Sequence, residues 1–208
     1  MKKHVTFKSL LIAAGFSLFG ATTFAQWTDI STGYSNVELF DVKFVNDNNG
    51  YAVGRNHTTN FGYIFKTTDG GSNWTVDSVA NTFFRAVAMA DINTGCVGGY
   101  DDVPASTEVI HKTTDAGANW TLEANTIAYY GIEHMMFVNA TTGYATGYGD
   151  TFGWSIGVYK TTDAGATWTA VSNMASTIGG DFDFTSATNA YMITHTGASA
   201  GTVQKSID

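Results

Sequence analysis

Three aspartates recur in this sequence at a spacing that could serve chemistry. Asp69, Asp115 and Asp163 stand 46 and then 48 residues apart, and each follows Lys-Thr-Thr and precedes a glycine and a tryptophan. The run Asp-x-Gly-x-Asn resembles a series of calcium ligands, but each copy supplies one carboxylate, whereas calcium takes about six to eight oxygens. The same residues are turn formers, because a short carboxylate accepts backbone N–H groups and glycine adopts positive φ. We therefore predict structural aspartates, with no metal and no cofactor bound.

Other carboxylates could form a catalytic pair. An inverting glycoside hydrolase needs two of them about 6.5–9.5 Å apart across a cleft. The candidates are Asp101, Asp102, Asp150, Asp181 and Asp183. Among 14 aspartates such candidates are expected by chance, and solvated loop charges explain them more simply. No catalytic residue is predicted.

The three aspartates lie in an octapeptide that repeats as a unit. Residues that favour β-strands precede each copy and Trp-Thr follows it, which predicts the tip of a β-hairpin with the tryptophan packed beneath the turn. The residues predicted to build these tips are Thr67, Asp69, Gly71, Trp74, Thr113, Asp115, Gly117, Trp120, Thr161, Asp163, Gly165 and Trp168.

The elements that position these tips follow from period-2 alternation. Each unit reads as four short strands, and the first of them is predicted at 42–45, 87–90, 135–138 and 182–185. Four antiparallel strands repeated every 40–50 residues or so are typical of β-propeller blades. We predict an all-β fold of about four blades in units 27–74, 75–120, 121–168 and 169–208, the last incomplete. The strand at 27–30 could complete the last blade, but an open or incomplete propeller explains the pattern more simply.

The amino terminus predicts export. Residues 1–25 combine basic residues, an apolar run and small residues before Gln26, as in a signal peptide, which leaves 26–208 as the propeller domain. Loss of three lysines with the signal takes the formal charge from -8 to -11. So acidic a domain is not expected to bind nucleic acid or anionic lipid. No later apolar stretch is long enough to span a bilayer, so no membrane insertion is expected after cleavage.

The repeated octapeptide resembles the Asp-box, or BNR, repeat. The run from Val53 to Arg55, together with the run from Ile64 to Trp74, is most similar to the photosystem II stability/assembly factor-like branch, over about residues 27–208. The resemblance implies a propeller whose Asp-box turns lie at the periphery, away from any active site. It also implies an arginine patch that holds a partner. Only Arg55 and Arg85 are present, which argues against such a patch, a photosynthetic role and the three-arginine site of a sialidase.

Loops between the second and third strands differ most from unit to unit, and such loops commonly carry recognition. The residues expected there as ligand contacts are Arg55, Tyr100, Tyr148, Trp154 and His195. The alternative is that they cap the blades and pack between them. The predicted function is a secreted, non-catalytic module that binds a protein or a glycan. Two alternatives remain: a fragment of a glycoside hydrolase of the Asp-box type, and an assembly factor-like protein for a membrane complex.

Overall fold

The computed structural model describes residues 32–101, 107–123, 131–148, 155–175, 178–184, 189–196 and 200–207. The predicted signal peptide, the strand expected at 27–30 and Trp154 lie outside these ranges, as do the side chains of Tyr148 and His195. Fifteen strands fill the described ranges and no helix occurs in them, so these ranges offer none that could span a bilayer.

The strands form four antiparallel sheets in chain order. The first sheet contains β1 (Glu38–Phe44), β2 (Gly50–Asn56), β3 (Phe61–Thr67) and β4 (Thr75–Ala80). The second contains β5 (Thr82–Met89), β6 (Gly95–Asp101), β7 (Thr107–Thr113) and β8 (Thr121–Leu122). The third contains β9 (Ile132–Phe137), β10 (Gly143–Tyr148), β11 (Ser155–Thr161) and β12 (Thr169–Ala175). The fourth contains β13 (Ile178–Phe184), β14 (Asn189–Thr196) and β15 (Ala200–Ile207).

The predicted all-β fold, an incomplete propeller of antiparallel four-stranded sheets, is confirmed. Each strand pairs with the next along the chain, so every complete sheet is a simple meander. Units counted from one tryptophan to the next each join the last strand of one sheet to the first three strands of the following sheet.

Successive sheets pack face to face through apolar side chains. Between the first two sheets the core includes Tyr51, Val53, Phe84 and Val97, and between the second and third it includes Cys96, Ile110, Ile132 and Tyr159. Between the third and fourth, the rings of Tyr144 and Phe184 stack with centroids 4.1 Å apart. Among the residues that the structure describes, each sheet buries apolar side chains against a neighbouring sheet, as in other repeat architectures.

The first strand of each sheet begins three to five residues earlier than alternation predicts. The cause is a β-bulge, because the pairing of these strands skips Phe40, Arg85 and Glu133 in the first three sheets and shifts between Gly179 and Phe182 in the fourth. A bulge adds one residue to a strand and breaks the period of two, so it also hides the strand's start from sequence analysis.

Candidate functional site

Each Asp-box aspartate is bonded within its own turn. Thr67 Oγ1 donates to Asp69 Oδ1 (2.8 Å) and accepts the Gly71 N–H (2.9 Å). Asp69 Oδ1 also accepts the Asn73 backbone N–H (2.8 Å), while the Asn73 side-chain amide donates to Asp69 Oδ2 (2.7 Å). Both carboxylate oxygens therefore have donors from the turn.

The same bonds recur at Asp115 and Asp163, with Thr167 in the place of the asparagine. Hydrogen bonds from Asn119 lower the pKa of Asp115 to about 2, and those from Asn73 lower the pKa of Asp69. Burial opposes the shift at Asp163, but hydrogen bonds from Thr167 and Thr161 lower its pKa to about 2. These carboxylates stay ionised and occupied by their own turns. No group of three or more His, Cys, Asp or Glu side chains in the described ranges is placed to hold a metal.

The turns also join the sheets to one another. Tyr51 of the first sheet donates its hydroxyl to the Ala116 carbonyl in the Asp-box of the second (2.8 Å). At the equivalent joint, Cys96 lies against Gly165, where a Cβ atom would overlap its sulfur. Burial raises the pKa of the Cys96 thiol to about 12, so this cysteine is a packing residue. Sequence analysis places the turns at the sheet corners but misses these contacts with the preceding sheet.

Two of the expected ligand contacts, Arg55 and Tyr100, meet on one aromatic ring. The Arg55 guanidinium carbon lies 3.8 Å from the ring centroid of Phe83, and Tyr100 stacks on the same ring at 4.7 Å with an interplanar angle of 12°. Phe83 is 5% exposed. We call these three residues, with His57 and Glu38, the stacked patch.

His57 and Glu38 extend the stacked patch into solvent. Arg55 donates through Nε (3.1 Å) and Nη2 (2.6 Å) to His57 Nδ1. Because arginine can only donate, Nδ1 is the acceptor, and His57 Nε2–H is left to donate to Glu38 Oε2 at 2.7 Å. Both outer side chains are more than half exposed. For the other expected contacts, the backbone of Tyr148 lies at the end of β10 and that of His195 in β14.

A second site, which sequence analysis missed, lies where the first strands of all four sheets converge. A pocket of about 370 Å³ opens there. Its lining residues are Phe40, Asp41, Arg85, Glu133, His134, Met135, Met136, Asp181 and Phe182. We call it the axial pocket. Bulges redirect side chains and often accompany binding sites, and three of the lining residues (Phe40, Arg85 and Glu133) are bulged.

Charged groups of the axial pocket link the first strand of each sheet to the first strand of the next sheet. Asp41 Oδ2 accepts the Val87 N–H from the second sheet (2.9 Å), and Oδ1 accepts the Val42 N–H (2.8 Å). Arg85 Nε lies 2.8 Å from Glu133 Oε2 of the third sheet. Another link joins the third sheet to the fourth, where His134 Nδ1 lies 3.8 Å from Asp181 Oδ1.

Two of these carboxylates are partly buried away from solvent. Burial raises the pKa of Asp41 despite the hydrogen bonds from Val87 and Val42, and it raises the pKa of Glu133 despite the charge of Arg85. Glu133 Oε1 is shielded from solvent and has no hydrogen-bond partner within the described chain. One signal could have revealed the site: in three of the four units a charged or polar residue (Asp41, His134, Asp181) directly precedes the predicted first strand.

One family of known proteins matches most of this sequence. Residues 20–195 match the model of the family described as photosynthesis system II assembly factor YCF48. The chain belongs to this family. Among solved structures, that of YCF48 from Cyanidioschyzon merolae is similar to this chain, with 11% sequence identity and a TM-score of 0.29. The match covers 88% of this chain and 98% of that one. No curated protein matches.

The resemblance to an Asp-box propeller of the assembly factor-like branch is thus confirmed. In this YCF48-family chain the two arginines lie on the same side of the molecule. Arg85 stands 5.4 Å from the Phe83 ring that carries Arg55, and 5.1 Å from the ring of Phe40. Arg85 belongs to the axial pocket and Arg55 to the stacked patch, so Phe83 connects the two sites.

Proposed function

We propose that this YCF48-family propeller is an exported, non-catalytic module that holds a protein partner in the manner of an assembly factor. The observation that carries the proposal is the stacked patch, at the sheet ends opposite the Asp-box turns. Arginine and tyrosine held rigidly in place are typical anchors of protein interfaces. The buried Phe83 ring fixes both, and the exposed His57 and Glu38 supply polar contacts beside them.

The packing of the aromatic rings favours a protein over a glycan. A sugar ring stacks on an open aromatic face. Phe83 is covered by Arg55 and Tyr100, and the Tyr100 ring also packs against the backbone at Gly131. What remains accessible at the stacked patch is charged or hydrogen-bonding, and such groups suit a polar protein surface.

The bonding of the carboxylates supports binding rather than hydrolysis. A general acid or base must be free to exchange a proton with the substrate. Both oxygens of each Asp-box carboxylate accept hydrogen bonds from their own turn, and both Asp41 oxygens accept backbone N–H groups. Glu133 is held by Arg85 on one oxygen and shielded from solvent on the other.

Export is tested by the mature amino terminus. We expect the protein recovered from the periplasm, cell surface or medium to begin at or near Gln26, as determined by mass spectrometry of its terminal peptide. Full-length protein beginning at Met1 and confined to the cytosol would contradict the proposal.

Partner binding is tested by site-specific photocrosslinking in the source cells. A photoreactive amino acid at His57 is expected to give a discrete protein adduct, and the same residue at the exposed Asp77 of β4 is expected to give none. Combined with the reporter at position 57, Arg55→Ala should remove the adduct. Lys66→Ala, which deletes a positive charge at the opposite end of the same sheet, should retain it.

Equal adducts from both reporters, or an adduct that survives Arg55→Ala in a protein of unchanged melting temperature, would sink the proposal. Binding of the purified protein to a glycan array, lost in Arg55→Ala, would replace the protein partner with a glycan.

A further inference from the structure

The axial pocket has the size of a site for one small group. Its volume, about 370 Å³, lies at the small end of the range for ligand pockets, roughly 300–1,000 Å³. Residues from the first strand of every sheet line it, so a bound group would contact all four sheets at once.

The charge of the axial pocket is unbalanced. Asp41, Glu133 and Asp181 face one arginine, Arg85, and one histidine, His134. The charge of Arg85 is matched by Glu133, which leaves two carboxylates opposite a single imidazole. The other charged residues of these four first strands are Glu38 and Lys43 on β1 and Asp183 on β13. A group that enters therefore meets a net negative field.

The walls of the axial pocket suit a cation on an apolar stem. The side chains of Phe40, Phe182, Met135 and Met136 supply aromatic and thioether surface between the charges. Arginine already uses this surface, because the Arg85 guanidinium lies over the Phe40 ring at 5.1 Å. Aromatic faces attract ammonium and guanidinium groups, and alkyl stems pack along apolar walls while the charged head reaches polar partners.

We propose that the axial pocket binds a primary ammonium or guanidinium group on a short alkyl chain. Asp181 is the entrance carboxylate, because its side chain is 75% exposed, while the side chain of Glu133 is 16% exposed and Asp41 is partly buried. The source of the cation is either a free amine or a lysine or arginine side chain of a protein. Binding of the free amine does not depend on the partner proposed above.

Isothermal titration calorimetry of the purified chain with agmatine and putrescine tests the proposal. Both are expected to bind in low salt and to lose affinity as ionic strength rises, because an exposed carboxylate contributes. Butanol and succinate, with matched chain lengths and no positive charge, are expected not to bind.

The chain supplies a matched pair of variants. Asp181 and Asp183 each accept the N–H of the following residue, at 2.9 and 2.8 Å, but only Asp181 lines the axial pocket. Asp181→Asn should weaken agmatine binding about threefold, the scale of an exposed ion pair, and Asp183→Asn should leave it unchanged. Equal effects of the two variants, or equal binding of butanol, would overturn the proposal.

The two sources are separated by peptides. A capped Gly-Lys-Gly tripeptide that binds, when its Nε-acetylated form does not, identifies a protein side chain as an acceptable occupant. Binding of the free amines with exclusion of the tripeptide restricts the axial pocket to small amines. Failure of all the cationic probes refutes this proposal and leaves the photocrosslinking test of the stacked patch standing.

Discussion

Carboxylates occur in two contrasting settings in this propeller. At the Asp-box corners, Asp115 and Asp163 receive donors from their own turns, and their pKa values fall to about 2. In the axial pocket, the effect of burial on Asp41 and Glu133 outweighs that of their hydrogen bonds and neighbouring positive charges, and their pKa values rise. Donors from its own turn favour the ionised form of an Asp-box aspartate, whereas burial among residues from different sheets works against the ionised form of Asp41 and Glu133 despite their partners. The conspicuous repeated acids are therefore the structural ones.

Among substitutions at the Asp-box turns, Gly165→Ala is expected to have the largest effect on stability. Gly165 has φ of 84°, and a Cβ atom would overlap the Cys96 sulfur in the preceding sheet. We expect the free energy of unfolding to fall by about 3 kcal/mol, from backbone strain and overpacking together. Urea denaturation measures it.

Cys96→Ala in the same chain is the control, since it removes the overlapping atom and should restore part of the loss caused by the alanine. If the loss of stability in the double variant equals or exceeds the sum of the losses in the two single variants, the contact between Gly165 and Cys96 does not cause the loss seen in Gly165→Ala.

The next effect concerns the threonine inside the turn. Thr67→Val keeps the shape of a side chain that is 1% exposed but removes the hydroxyl that serves both Asp69 and the Gly71 N–H. We expect a loss of about 2 kcal/mol, because a buried donor is left unsatisfied. Thr68→Val, at the exposed neighbouring position, should change stability little, and thermal denaturation of both proteins compares them. Equal losses would show that the turn does not depend on the hydroxyl.

The smallest effect is a pH dependence of opposite sign in the two settings. The pKa of Asp163 is about 2 in the folded protein, below its usual 3.8, so its contribution is present above pH 4 or so and lost as the pH falls toward 2. The pKa of Glu133 is raised above 4.5, so its ionisation destabilises the fold as the pH rises through the interval above that value.

Urea denaturation between about pH 2.5 and 7 checks both signs. Asp163→Asn should flatten the acidic part of the profile, and Glu133→Gln should flatten the part above pH 4.5. Asp47→Asn, at an exposed turn, serves as the charge control. Profiles in which both variants change the same part would remove the distinction between the two settings.

The features that the sequence predicts are those that depend on residues close together in the chain. The hairpin tips at Asp69, Asp115 and Asp163 depend on bonds within a few residues, so composition and spacing suffice to place them. The axial pocket depends on bulges at Phe40, Arg85 and Glu133, which break the alternation used to find strands. The meeting of Arg55 and Tyr100 on Phe83 depends on how two sheets pack, and no local pattern encodes that.

The links around the axis weaken along the chain. A partly buried bond from a backbone amide to Asp41 joins the first two sheets, a half-buried ion pair joins the next two, and a 3.8 Å contact between exposed side chains joins the last. We expect thermal opening of such an arc to be graded, with the carboxyl-terminal sheet detaching at the lowest free-energy cost. A group bound between Asp181 and the deeper carboxylates would hold the fourth sheet to the other three. Occupancy of the axial pocket would then make the whole arc of sheets more rigid.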